Sequence, residues 1–278
     1  MINSIKDCVT LNNGVKMPWL GLGVWQVTRP DELDFAVKTA LEAGYASIDT
    51  AAVYGNEEGV GKAVRESGIP REQLFITTKV WNGAQRKGYD AVLRAFEESR
   101  KALGLDYIDL YLIHWPVKGK YVEAWKALIK LYNDGLVRAI GVSNFLIHHL
   151  EEIINETGVV PAVNQVELHP WLNQSELVEY CKKHGIQVEA YSPLMNGHLR
   201  EVAELNDIAR KYGKTPAQIV LRWDLQRGII VIPKSVHKER IIENSQIFDF
   251  NISEEDMQAI NSLNRNKRFL PHPDNVNF

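Results

Sequence analysis

The sequence predicts an α/β fold, a (β/α)8 TIM barrel carrying a β-hairpin at its amino-terminal end, with residues 1–278 forming one domain. Short runs rich in Val, Ile and Tyr alternate with longer segments of helical period, the pattern of βα units around a parallel sheet. Eight such runs can be counted, whereas an open doubly wound sheet usually has fewer. No low-complexity or Pro/Gly/Ser-rich stretch divides the 278 residues, and α/β barrels reach this length as single domains.

The elements follow in order. VTLNNGVKMP sets two apolar segments around Asn13-Gly14, a dipeptide suited to a type I′ hairpin turn. Barrel strands are expected at Trp19–Gly23, Ala46–Thr50, Leu74–Val80, Ile108–His114, Val137–Val142, Ala162–Val166, Gln187–Tyr191 and Ile229–Ile232. Between them lie helical patterns such as DELDFAVKTALEAG, in which Phe35, Ala36, Thr39, Ala40 and Ala43 share one face. YDAVLRAFEESRKALG, YVEAWKALIKLYNDG and TPAQIVLRWDLQRG read likewise, the last with proline near its first turn.

An apolar fraction of 45% and a charged fraction of 24% describe a soluble globular chain with enough apolar residues for a large core. A net charge of −3 with no long basic run gives no footprint for a polyanion, so nucleic acid is not expected as a partner. Cys8 and Cys181 are far apart and form no CxxC pattern, which argues against a zinc site or a disulfide framework and fits a reducing cytoplasm. His148-His149 followed by Glu151-Glu152 lacks the HExxH spacing, so the stretch reads as a solvated helix and no metal is expected. MINSIKDCVTL has no signal-like apolar core, and no apolar run nears the roughly 18 residues of a membrane span. A cytoplasmic monomer that does not engage a membrane is the expectation.

In a barrel of this kind reactive groups gather at the carboxyl ends of the strands. Those ends carry Asp49 and, five residues on, Tyr54, then Lys79 and His114. Singly, each reads equally as a cap, a loop anchor, a solvated end or a packed ring. Together they form an acid aimed at an oxygen that becomes anionic. Tyrosine is a weak acid with an unperturbed pKa of about 10, and a nearby ammonium such as Lys79 lowers it. Asp49 would orient Lys79, and His114 would hydrogen-bond the same oxygen. Reduction of a carbonyl suits this set, with the hydride coming from a reduced nicotinamide, which side chains cannot replace. Two other readings stay open on these residues: a lyase with Lys79 as Schiff-base nucleophile, and a nucleotide-sensing subunit without catalysis.

Three long stretches carry a family likeness: Gly44–Glu57, GYASIDTAAVYGNE; Leu103–Pro116, LGLDYIDLYLIHWP; and Ile232–Asn244, IPKSVHKERIIEN. In their order and nearly throughout, the chain resembles the aldo-keto reductases. It is most similar there to short bacterial members acting on diketo-gluconic acid, glyoxal or methylglyoxal. The resemblance implies a catalytic tetrad of Asp49, Tyr54, Lys79 and His114 with Tyr54 as proton donor, and NADPH/NADP+ as cofactor. It implies that Ser143, Asn144 and Gln165 hold the nicotinamide, which stacks on Tyr191, and that Ser192, Pro193 and Leu194 contact the pyrophosphate. Lys234, Ser235 and Arg240 would surround the 2′-phosphate, Val236 and His237 lie in the same loop, and Glu243 and Asn244 would meet the adenine.

GLGVWQ, Gly21 to Gln26, is two-thirds of the G-x-G-x-x-G fingerprint, with Gln26 in place of the third glycine. It reads as the end of the first barrel strand rather than a phosphate loop. Gly23 would let backbone approach the nicotinamide end, with Val24 and Trp25 beside it. Trp25, Trp81 and Trp115 would wall the substrate pocket around Tyr54 and His114, for a small carbonyl compound as substrate. The carboxyl-terminal loop Arg268–Asp274 would tune specificity. Leu270 stands where related members often carry glycine, and His237 where a small polar residue is common.

Overall fold

The computed structural model describes residues 2–278. A two-stranded antiparallel hairpin, β1 (Cys8–Thr10) and β2 (Lys16–Pro18), precedes eight parallel strands. These are β3 (Gly21–Gly23), β4 (Ser47–Asp49), β5 (Phe75–Val80), β6 (Ile108–Ile113), β7 (Val137–Ser143), β8 (Val163–Glu167), β9 (Gln187–Tyr191) and β10 (Ile230–Val231), each paired with the next. A parallel bridge from Leu20 to Val231, with Val231 N–H donating to the Trp19 carbonyl, closes β10 onto β3. All eight expected strands are present, within about two residues at each end.

The strands alternate with the helices α1 (Pro30–Glu42), α2 (Glu57–Glu66), α3 (Asn82–Lys87), α4 (Tyr89–Leu103), α5 (Tyr121–Asn133), α6 (Ile147–Thr157) and α7 (Ser175–Lys183). α8 (Ala203–Tyr212) and α9 (Pro216–Gln226) lead into β10, and α10 (Lys238–Ser245) and α11 (Glu254–Asn261) follow it. The α9 start is dictated locally: Thr215 caps it reciprocally with Gln218, and Pro216 occupies its first turn, where no N–H is needed.

Alternation along the strands divides the core. In β6, Leu110 and Leu112 join an interior cluster with Phe75, Ala139, Val163 and Ile230, while Tyr111 and Ile113 join the shell between strands and helices. Leu11 and Met17 of the hairpin belong to the interior cluster, so the hairpin plugs the amino-terminal mouth of the barrel. That end is apolar. At the other end the interior turns polar, with Asp49, Thr77, Lys79, Gln165 and Glu189 all buried.

Two local expectations are corrected. Asn13 does not take positive φ. The chain turns through Leu11–Gly14, with Gly14 N–H donating to the Leu11 carbonyl and Gly14 alone at φ 87°. This matches a type I turn closed by a left-handed glycine, the alternative hairpin geometry with a longer loop. Phe35 is 49% exposed, because the buried face of α1 runs through Leu33, Ala36, Val37 and Ala40. At about 100° per residue Phe35 lies on the far side of that stripe.

Candidate active site

At the carboxyl ends of the strands a cavity of about 1270 Å³ opens across the barrel mouth. β4 ends on Asp49, and a short 3-10 turn, Ala52–Tyr54, carries Tyr54 back over the rim. Lys79 is the penultimate residue of β5, and His114 directly follows β6. Lys79 has no exposed surface; its ammonium donates to Asp49 Oδ1 at 2.6 Å and to the Thr50 carbonyl at 2.8 Å. It lies 5.2 Å from the Tyr54 ring centre, and the His114 ring meets Tyr54 edge-on at 5.7 Å. Asp49, Tyr54 and His114 line the cavity. The four residues thus form one cluster, as the strand-end argument expects.

Burial dominates their electrostatics. It depresses Lys79, but Asp49, Tyr54 and Glu189 together outweigh it and hold the ammonium above its ordinary range. Burial pushes Asp49 up against the pull of Lys79 and Gln165. A protonated lysine bonded to two oxygens is not the free amine that a Schiff-base lyase requires. His114 is driven well below its ordinary value by burial and by Lys79, so it is neutral at pH 7. The expected lowering of Tyr54 is corrected. Burial raises it, and the downward pull of Lys79 only partly offsets that rise. The phenol is therefore protonated at pH 7.

The same cavity runs on as a trough. Gly23 and Trp25 line it near the tetrad, followed by Ser143, Asn144, Gln165 and Tyr191. Ser192, Pro193 and Leu194 also line it, as do Lys234, Ser235, Arg240, Glu243 and Asn244. Val24, Val236 and His237 do not line it. Val24 is buried in the shell core, Val236 packs against that core, and His237 is the residue before α10. Gly23 has a further reason to be glycine. A Cβ there would approach the Ile232 carbonyl oxygen to 2.9 Å, so the barrel seam itself excludes a side chain.

Asn144 is committed within the protein. Its amide nitrogen donates to the His114 carbonyl and Ser143 Oγ, and its oxygen accepts from the Tyr191 hydroxyl at 2.6 Å. One lone pair of that oxygen is left for a ligand, and the bond fixes the Tyr191 ring. Lys234 and Arg240 form no ion pair among the described residues, and neither does Arg200, which also lines the trough. Arg200 is absent from the expected set because no motif surrounds it. Three unpaired cations beside one groove suit an anionic, extended ligand.

Aromatic rings form a further part of the wall. Trp25, Trp81 and Trp115 all line the cavity, as expected, and Phe278 joins them. Its ring stacks on Trp81 at 6.0 Å and meets Trp115 edge-on at 5.4 Å. Leu270 and Pro271 also reach the cavity, because Glu167 accepts from the N–H groups of Phe269 and Leu270 and draws the loop across the mouth. Phe278 carries no sequence signal, since its placement depends on the path of the whole tail.

The solvated-helix reading holds for His148, Glu151 and Glu152, which are exposed on α6, and is corrected for His149. His149 is buried against Tyr121 and Phe145, and both imidazoles reach Asp274 Oδ1, at 3.0 and 3.2 Å. The trio has the residue types of a metal site. However, His149 Nδ1 accepts from the Leu146 N–H, which puts the proton on Nε2, the nitrogen facing Asp274. His149 is thereby a strut between α6 and the carboxyl-terminal loop. Burial pushes it down to about 4.

Comparison with known proteins agrees with this geometry. Residues 19–265 match the model of the Aldo/keto reductase family. The chain is 57% identical over 278 residues to a protein of Bacillus subtilis (strain 168) named glyoxal reductase, covering 100% of each. It is 50% identical over 270 residues to methylglyoxal reductase DkgA of Escherichia coli (strain K12), covering 96% of each. A solved structure of a Gox0644 mutant in complex with NADPH superposes with a TM-score of 0.93 at 47% identity, over 98% of this chain and 99% of that one. With its eight-stranded barrel and the cluster at its mouth, the chain belongs to the aldo/keto reductase family, a family of oxidoreductases.

Proposed function

We propose that the protein is an NADPH-dependent reductase of small aldehydes and ketones, dicarbonyls such as methylglyoxal and sugar-derived carbonyls included, and that Tyr54 is its proton donor. The observation that carries this reading is the phenol of Tyr54 beside a buried ammonium, with a neutral imidazole against it, in a cavity whose lining also holds the unpaired cations Lys234, Arg240 and Arg200. The residues present fit NADPH. Lys234 and Arg240 offer two cations and Ser235 a hydroxyl for a 2′-phosphate, Tyr191 offers a fixed ring face, and Gln165 and Asn144 offer amide groups for a carboxamide. When bound, NADPH supplies the hydride.

The chain's own residues supply the rest. A substrate carbonyl oxygen seated between Tyr54 and His114 accepts a hydrogen bond from each. His114, neutral, donates through the nitrogen that faces the cavity. As negative charge grows on that oxygen, Tyr54 gives up its proton, and Lys79 stabilises the phenolate left behind. Asp49 keeps Lys79 charged and aimed, and the apolar walls of Trp81, Trp115 and Phe278 restrict water. Phe278 and Leu270 bound the space over the substrate and favour small compounds.

A monomer is taken as the working unit in this reading. The described residues hold two free cysteines, which supports a reducing cytoplasm. Among the described residues no helix is long and apolar enough to cross a membrane. The test is the decay of NADPH absorbance over a panel of aldehydes, ketones and dicarbonyls, repeated with NADH. The reading expects the highest kcat/KM for small dicarbonyls with NADPH; no turnover with any carbonyl would refute it.

A further inference from the structure

Glu189 lies inside the barrel beside Gln165, and neither the tetrad nor the trough described above uses it. β8 and β9 pair with Gln165 opposite Glu189, so the two side chains leave the same face of the sheet. The Glu189 carboxyl has no exposed surface. Its Oε2 accepts from Gln165 Nε2 at 2.7 Å, and its Oε1 has no hydrogen-bond partner among the described residues. Lys79, the cation that acts on it, is already bonded to Asp49. Burial and Asp49 push Glu189 up to about 8. A buried carboxyl with no cation of its own is costly, which asks for a compensating role.

The amide of Gln165 supplies one. Its single nitrogen donates to Glu189 Oε2 and also to Asp49 Oδ2, each at 2.7 Å. A primary amide has two N–H groups and one carbonyl oxygen. Both N–H groups are spent on carboxyl oxygens within the barrel, and the carbonyl oxygen accepts no hydrogen bond from the described residues. Turned over, the amide would set that oxygen against two acceptors. Asp49 by itself would occupy one N–H and leave the other free to swing toward the cavity. Glu189 removes that freedom while its Oε2 is an acceptor, as it is in the carboxylate and in the acid protonated on Oε1.

We infer that Glu189 is a positioning residue: with Asp49 it locks the Gln165 amide so that the carbonyl oxygen faces the cavity and selects a ligand that donates a hydrogen bond there, the NH2 of a pyridine carboxamide. This rests on the proposed use of NADPH with Gln165 at its nicotinamide end. The lock makes the site discriminate a carboxamide from an otherwise similar group that lacks the donor.

The test compares equilibrium dissociation constants of NADP+ and its 3-acetylpyridine analogue, in which a methyl group replaces the NH2, read by quenching of tryptophan fluorescence without substrate. The wild-type protein should prefer NADP+ by about tenfold, the worth of one hydrogen bond. Glu189→Met, which keeps volume and removes both acceptors, should bring that preference close to one, whereas Glu189→Gln, which still offers a carbonyl acceptor, should retain it. Gln165→Leu should abolish it, and adding Glu189→Met to Gln165→Leu should change nothing further. Glu189→Leu repeats the measurement should the Met variant not fold. A wild-type preference in Glu189→Met, with that preference lost in Gln165→Leu, overturns the inference and leaves Gln165 as a cofactor ligand. An unchanged preference in Gln165→Leu overturns the assignment of Gln165 and the inference with it.

Discussion

Lys79→Met removes the ammonium beside Tyr54 and keeps most of the buried stem. With the ammonium 5.2 Å from the ring centre, a full phenolate charge is stabilised by about 3 kcal/mol at an effective dielectric of about 20. That energy corresponds to roughly 200-fold in rate, and partial proton transfer in the transition state reduces it to on the order of 100-fold. The substitution also leaves Asp49 buried without its partner. Burial already pushes Asp49 up, so it takes a proton instead of remaining a lone charge. The assay is kcat for methylglyoxal at saturating NADPH, with NADPH affinity and melting temperature measured on the same protein. The double variant Asp49→Asn with Lys79→Met removes the carboxylate as well, and should share the loss in kcat with equal or better stability. A Lys79→Met enzyme that binds NADPH normally and turns over within about fivefold of wild type would refute the role given to the ammonium.

Three other outcomes are expected. Lys234→Ala or Arg240→Ala should weaken NADPH by about tenfold or more and NADH by much less, because only NADPH carries the 2′-phosphate; equal losses in fluorescence titrations would remove that assignment. Arg200→Ala should weaken both cofactors similarly if its unpaired guanidinium meets the pyrophosphate they share, and isothermal titration with each distinguishes this from a 2′-phosphate contact. His149 has a folded pKa of about 4, below the unfolded value of about 6.5, so as pH falls through that interval the unfolded chain takes up a proton that the folded chain does not. Its contribution is complete above about 6.5 and is lost toward 4, and urea midpoints of His149→Gln should fall less steeply than wild type over that range; parallel slopes would contradict the buried, neutral strut.

The strand set is legible in the sequence because most strands are short apolar runs bounded by turn residues or helical patterns, and the rim residues follow because a barrel puts its chemistry at strand ends. Asp49, Tyr54, Lys79 and His114 come together on that logic alone. The residues that escape it depend on distance in space. Glu189 in QVEAY reads as one member of an alternating strand, and only the register of β9 on β8 brings it to Gln165. Phe278 reaches the site along a tail fixed by bonds from its backbone to Glu167 and from its Asp274 to His148 and His149. The Tyr54 shift takes the opposite sign from the sequence expectation because the sequence displays the ammonium and hides the burial. GLG near the amino terminus resembles a nucleotide loop, but the seam with Ile232 is what excludes a side chain at Gly23.

The central claim is that Tyr54 gives the proton in a reduction for which the trough holds NADPH. Tyr54→Phe tests it most directly, with NADPH dissociation constants and kcat for methylglyoxal measured on one preparation. The predicted result is an NADPH affinity within about twofold of wild type and a kcat lower by roughly 10³-fold. A Tyr54→Phe enzyme that reduces methylglyoxal at near the wild-type rate would contradict the account.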